Sequence, residues 1–246
     1  MSQRIDKILS HEGFGSRKDI KKLLRQAEVL VNGKQVFDPG TQVNPEKDKI
    51  TVDGEELNIH TNLYLMMNKP KHYVCANKDG EHETVFDLLD PSIKTPYIMD
   101  RLHLIGRLDM DTEGLLIFTT DGELTHRVIS PKSNCPKTYF VRLEKPLTEE
   151  TKKQYEEKLK EGFLVPEEDH ETEFVCLPST IKFTENADEV LLTITEGKYH
   201  QVKRMFRGLG NKVIYLKRIS MNKLSLDETL ALGEYRELTE EEIGML

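Results

Sequence analysis

The sequence predicts an α+β fold in two parts, and three observations point to it. The first sixty residues pair basic, helix-patterned segments with turn-punctuated β-rich runs. From Leu63 onward, β-rich runs alternate with helical patterns. At 246 residues the chain also exceeds the usual size of one domain, so two folding units are expected. The short polar segment Ile59–Asn62 sets the expected boundary, giving a module at 1–60 and a larger domain at 61–246.

In the first module, Ser16 precedes RKDIKKLLRQAEV, with Asp19 at the spacing of a capping box. Ile20, Leu23, Leu24 and Ala27 form one apolar stripe, while Arg17, Lys18, Lys21, Lys22 and Arg25 crowd the other face. Through Lys34 the segment holds eight basic residues against four acidic ones, although the whole chain carries a net charge of -8. The whole-chain charge argues against indiscriminate coating of nucleic acid. The local patch, with Arg4 nearby, suits binding to several phosphates. A charge run taken alone is more often solvated surface. Asn32-Gly33 and Asp53-Gly54 then mark two tight turns.

In the second part, LYLMMNKP, GLLIFTTDG, KTYFVRLE, EVLLTITEG and KVIYLKRIS read as strands. Stretches near ETVFDLL, ELTHRVI, EETKKQYEEKL and HQVKRMFRGL read as helices, and Thr239 caps an acidic terminal helix. The sharpest cluster is GRLDMDTEG, where Asp109, Asp111 and Glu113 stand beside Arg107 just before an apolar strand. Loops at strand ends display reacting groups because the scaffold fixes their direction. By itself, however, the cluster also fits an exposed acidic turn.

Cys75, Cys135 and Cys176 are odd in number and widely spaced, which supports neither a disulfide framework nor a thiolate zinc site; they read as buried, reduced thiols. His103, His126 and His200 are dispersed and read as structural or RNA-contacting. The sequence shows no P-loop, no GxGxxG after a strand and no HExxH. The N-terminus lacks the long apolar stretch of a signal peptide or membrane span, so a soluble, cytoplasmic protein is expected, and no apolar heptad calls for a second copy, so a monomer is expected.

Three ordered segments, GRLDMDTEGLLIFTTDG, KTYFV and GKYHQVKRMF, together with MMNKP, resemble the signature of the pseudouridine synthases of the small-subunit ribosomal RNA type. The segment Arg4–Val36 resembles an S4-type RNA-binding module. This resemblance covers nearly the whole chain and implies a mainly antiparallel catalytic sheet behind a small RNA-docking module. It implies Asp109 as the catalytic aspartate, acting as nucleophile or as stabiliser of a glycosyl intermediate. Lys203 becomes its basic partner, with Arg204 the adjacent alternative. Tyr139 is implied to stack on the uracil and take part in removing the C5 proton, and Arg107 to fill the space left by the extruded nucleotide. Arg107 has the alternative of merely pairing with Asp111 or Glu113. His200, Gln201 and Arg204 complete the expected substrate contacts, with Arg4, Arg17, Lys18, Lys21, Lys22 and Arg25 on the RNA side.

The implied reaction neither oxidises nor hydrolyses, so neither cofactor nor metal is expected. The implied partner is ribosomal RNA or an assembling small subunit, with uridine 516 of 16S RNA, in the usual numbering, as target. The large-subunit 23S RNA is the alternative target, since relatives with this layout modify either. Two other classes compete. DMDT at Asp109–Thr112 also fits the DxDxT string of haloacid-dehalogenase-type phosphotransferases, although Gly106-Arg107 interrupts the apolar approach which that string needs. A non-catalytic RNA-binding assembly factor would keep the fold, but Asp109, Tyr139 and Lys203 are all present.

Overall fold

The structure, a computed structural model, describes residues 2–45, 47–57, 62–130 and 133–246. The expected boundary residue Ile59 lies outside the described residues. The chain divides into two compact units, Met1–Leu63 with Asp90–Arg101, and Tyr64–Leu89 with Leu102–Leu246.

In the first unit, helices Ile5–His11 and Arg17–Gln26 precede short antiparallel strands in the order Lys34–Gln35, Val29–Val31, Ile50–Val52, Glu55–Glu56. The capping box forms as expected: the Ser16 hydroxyl accepts from the Asp19 amide, and the Asp19 carboxylate accepts from the Ser16 amide. Asn32 and Gly33 both take positive φ, the conformation a two-residue hairpin turn requires. Ile5, Ile8, Leu9, Ile20, Leu24, Val29 and Ile50 form the buried core, so the stripe at Ile20 and Leu24 faces inward. Fully burying each such side chain contributes about 1.5–3 kcal/mol. A helix that the sequence did not suggest, Pro96–Arg101, belongs to this unit, and Arg101 donates to the Asn62 side chain at 3.0 Å.

The second unit is built on a sheet that, among the described residues, has nine strands. Its main path runs Thr180–Phe183, Glu189–Ile194, Lys137–Leu143, Val213–Met221, Glu113–Thr119, Tyr64–Lys69, Tyr235–Glu237. All the pairings along this path are antiparallel except Val213–Met221 with Glu113–Thr119. At that parallel contact Gly114 has φ +103, and a Cβ there would lie 2.2 Å from the Arg218 carbonyl oxygen. Only glycine permits the two backbones to approach so closely. The strand Glu113–Thr119 is buried on both faces, which explains its unbroken apolar run.

One expected helix does not form. ETVFDLL folds as turns, because the Asp87 carboxylate accepts from the Thr84 amide at 2.7 Å and from its hydroxyl at 2.9 Å. That local closure competes with helix propagation, and Val85, Phe86 and Leu89 are buried by the turns instead. At the C-terminus, Thr239 and Glu242 form the expected capping box. Cys135 and Cys176 are buried thiols, whereas Cys75 is only half-buried.

Candidate active site

The site lies where the 105–112 loop meets the helix Gln201–Gly208 and the strand Lys137–Leu143. Asp109 sits in the loop before the buried strand, and the Thr112 amide closes a turn onto the Asp109 carbonyl at 3.1 Å. The helix begins at His200, whose left-handed backbone (φ 46) turns the chain so that Lys203 faces the loop. Lys203 Nζ donates to Asp109 Oδ2 at 2.8 Å and to Asp111 Oδ1 at 2.5 Å. Asp109 Oδ1 has no hydrogen-bond partner among the described residues, and the side chain is 30% exposed. One carboxylate oxygen is therefore held by a cation, the other is unpartnered among the described residues, and the side chain lines the cleft.

Electrostatics follow from this geometry. Burial disfavours the charged Lys203, yet its bonds to Asp109 and Asp111 prevail and raise its pKa above the ordinary lysine value. Asp111 is likewise pushed up by burial but pulled lower overall by Lys203. The choice between Lys203 and Arg204 is thus resolved by geometry. Arg204 is 1% exposed, and its guanidinium donates to the carbonyls of Pro166, Thr172 and Tyr199. It ties three backbone segments together behind the helix, which corrects the expectation of a substrate contact.

Tyr139 is almost fully buried and lines the same pocket as Asp109 and Arg107. Arg107 is exposed and makes no ion pair among the described residues, so the expected alternative of pairing with Asp111 or Glu113 does not occur. Glu113 leaves the acidic cluster altogether: it is the first residue of the strand, and its carboxylate accepts from the Tyr215 hydroxyl at 2.6 Å. His200 approaches Asp109 at 3.9 Å and Glu168 at 3.4 Å, with the Tyr199 ring stacked on it at 3.8 Å. Gln201 is buried and spent on the loop, donating to Glu196 and accepting from the Lys198 amide, both at 2.9 Å. It lines the pocket wall, held there by these two bonds. His103 bonds to the Thr125 hydroxyl at 2.7 Å, and His126 is exposed.

Lys69 was not singled out from the sequence. Fully buried, its ammonium donates to the carbonyls of Pro70, Asp109 and Thr112 at 2.9, 3.1 and 2.9 Å. Burial lowers its pKa, with Cys75, Asp109 and Asp111 opposing. A lysine at the end of an apolar strand is the available signal, since burying it demands several acceptors.

In the first unit, Arg17, Lys18, Lys21, Lys22 and Arg25 are all exposed on the helix Arg17–Gln26, whose Ile20 and Leu24 are buried. Arg4 differs, because it forms a two-nitrogen bridge to the buried Asp6 carboxylate at 3.0 and 2.7 Å.

A lysine-held aspartate with one carboxylate oxygen unpartnered among the described residues thus stands beside a buried tyrosine and an arginine without an ion pair, in a chain whose first unit carries a basic helix. The chain belongs to the RNA pseudouridylate synthase family, whose pattern matches residues 63–207, and an S4 domain matches residues 3–50. It is 43% identical to the uncharacterized RNA pseudouridine synthase YtzG of Bacillus subtilis (strain 168), over 99% of this chain and 98% of that one. It is 46% identical to ribosomal small subunit pseudouridine synthase A of Vibrio vulnificus (strain CMCP6), covering 98% and 97%. A solved structure described as a pseudouridylate synthase matches 98% of both chains at 39% identity with a TM-score of 0.65.

Proposed function

We propose that this enzyme isomerises one uridine of 16S ribosomal RNA, uridine 516 in the usual numbering, with Asp109 as nucleophile. The observation that carries the chemistry is the asymmetry of Asp109: Oδ2 is held by Lys203, while Oδ1 has no partner among the described residues and the side chain lines the cleft. The near-full-length likeness to enzymes named for the ribosomal small subunit favours the 16S target.

In this reading, Arg107 takes the place of the extruded nucleotide, and the uracil rests on Tyr139. Asp109 Oδ1 adds to ribose C1′ as the N1 bond breaks, or to uracil C6 before it breaks. The detached base turns and C5 bonds to C1′ as the Asp109 ester at C1′ breaks, or, on the other route, before the Asp109–C6 bond breaks; the C5 proton then leaves and N1 ends protonated, so Asp109 is released and atoms balance without oxidation or hydrolysis. Lys203 holds Asp109 Oδ2 in place, and Lys69 fixes the loop through its backbone. The protein is proposed to act as a cytoplasmic monomer on RNA or on an assembling subunit.

Tritium release from C5-labelled 16S and 23S transcripts tests this. Release from 16S by the wild type and none by Asp109→Asn is expected. Release from 23S alone overturns the target, and full activity of Asp109→Asn overturns the nucleophile.

A further inference from the structure

Beside Tyr139, on the side away from the helix Gln201–Gly208, lies a second pocket lined by Arg107, Lys137, Lys198, Arg218, Ser133 and Glu196. Strand register builds it. Tyr139 pairs with Arg218, and residues directly opposite on antiparallel strands project from the same face. Lys137 pairs with Met221 across a bulge that separates it from the Tyr139–Arg218 pair, and it lines the same pocket.

Arg218 is unusual in its surroundings. It is 1% exposed, and its only hydrogen bond among the described residues runs from Nε to the Leu115 carbonyl at 2.8 Å. One terminal nitrogen is fully buried with no partner, and the other lies 4.0 Å from where a Gly106 Cβ would stand. No carboxylate lies within 4.0 Å of Arg218 or Lys137 among the described residues. Glu196, the one carboxylate among the described residues that line the pocket, is already engaged by the Gln201 side chain, the Leu177 amide and Lys198. Lys137 donates to the Cys135 carbonyl at 2.9 Å and, more distantly, to that of Glu196. Burial and the neighbouring Arg218 disfavour its charge, in part offset by Cys135. Four cations thus meet one committed carboxylate. A buried guanidinium with neither counter-ion nor a full set of acceptors is costly, and an arriving anion relieves that cost.

We propose that Arg218 and Lys137 form the floor of a phosphate subsite that takes a phosphodiester of the substrate RNA next to the reacting nucleotide. This rests on the RNA-modifying reading above. A guanidinium fork suits two phosphate oxygens, and Arg107 at the rim links the subsite to the Asp109 pocket. Holding the backbone beside Tyr139 fixes where the extruded base enters.

Two measurements test this. Thermal unfolding of the full-length protein in inorganic phosphate, against chloride at equal ionic strength, reads the subsite without RNA. Phosphate is expected to raise the Tm of the wild type and of Arg218→Lys more than that of Lys137→Met or Arg218→Gln. Short substrate RNAs carrying one neutral methylphosphonate linkage at a time read the phosphodiester. A single flanking linkage is expected to raise the wild-type KM by roughly ten- to a hundredfold, the worth of a charge-assisted hydrogen bond. The same linkage should cost Lys137→Met little, since its contact is already weakened; this variant serves if Arg218→Gln fails to fold.

Phosphate protection with every methylphosphonate tolerated within twofold overturns the proposal in favour of a free-anion site. An equal linkage penalty in wild type and Lys137→Met, or no phosphate protection, also overturns it. If the wild type releases no tritium from either ribosomal RNA, the target reading fails separately, and RNA affinity across the same linkage series decides the subsite.

Discussion

Replacing Lys203 with Met keeps the length and most of the volume of the side chain but removes the ammonium bound to Asp109 at 2.8 Å and Asp111 at 2.5 Å. The side chain is only 18% exposed, so water restores little of the lost interaction, and two carboxylates are left facing each other. Losing one preorganised electrostatic group from a catalytic site costs on the order of 10²- to 10³-fold in kcat, or about 3–4 kcal/mol. The effect should be read as single-turnover tritium release, with RNA affinity measured separately. Affinity within a few-fold of wild type, together with the rate loss, is expected, because the pair acts on the reacting carboxylate rather than on the phosphates. A rate within threefold of wild type would refute the argument that the ion pair serves the chemistry. The raised Lys203 pKa adds a sign: its charge persists through and above the ordinary lysine range, so the pair with Asp109 should not be lost as pH rises to that range.

Other variants probe the supporting parts. Arg204→Met should lower thermal stability by several kcal/mol, because buried carbonyls of Pro166 and Thr172 lose their donor at about 1–3 kcal/mol each; an unchanged Tm would contradict its structural role. Neutralising Lys18, Lys21 and Lys22 together should weaken RNA binding and reduce the slope of log affinity against log salt by roughly 0.7–0.9 per lost phosphate contact; an unchanged slope would mark that face as solvated surface. Acid stability should depend on Arg236. Asp227, bonded to Thr229 and Arg236, and Glu242, bonded to Arg236, are each held down to about 2. Their stabilisation is present above the ordinary carboxylate range and disappears as pH falls from about 4 toward 2. Melting temperatures of the wild type should therefore fall more steeply over that range than those of Arg236→Gln, and parallel curves would remove the network from the account.

Where short-range chemistry decides the structure, the sequence was a sufficient guide. Ser16 with Asp19, Thr239 with Glu242, and Asn32-Gly33 form caps and a turn from residues a few positions apart, so their local spacing carries the information. Asp109, Lys203 and Tyr139 are legible only through motif resemblance, since Asp109 and Lys203 are bonded across 94 positions by tertiary folding and Tyr139 lines the Asp109 pocket from a separate strand. Lys69 leaves only an indirect mark in the sequence, a lysine at the end of an apolar strand, because its acceptors are backbone carbonyls. Glu113 was placed with the wrong neighbours because a strand begins at that residue and sends its carboxylate to Tyr215, 102 positions away. ETVFDLL carried helical periodicity, but Asp87 folds back on Thr84, and side-chain closure overrides a seven-residue pattern. The choice between Lys203 and Arg204 rested on one residue of register, which the left-handed His200 sets at the start of the helix.

The most direct test of the central claim is pseudouridine mapping of 16S and 23S ribosomal RNA from cells lacking this gene, complemented with wild type or with Asp109→Asn. The account predicts loss of one 16S pseudouridine that only the wild type restores. Restoration by Asp109→Asn, or an unchanged map in the deletion, would contradict it.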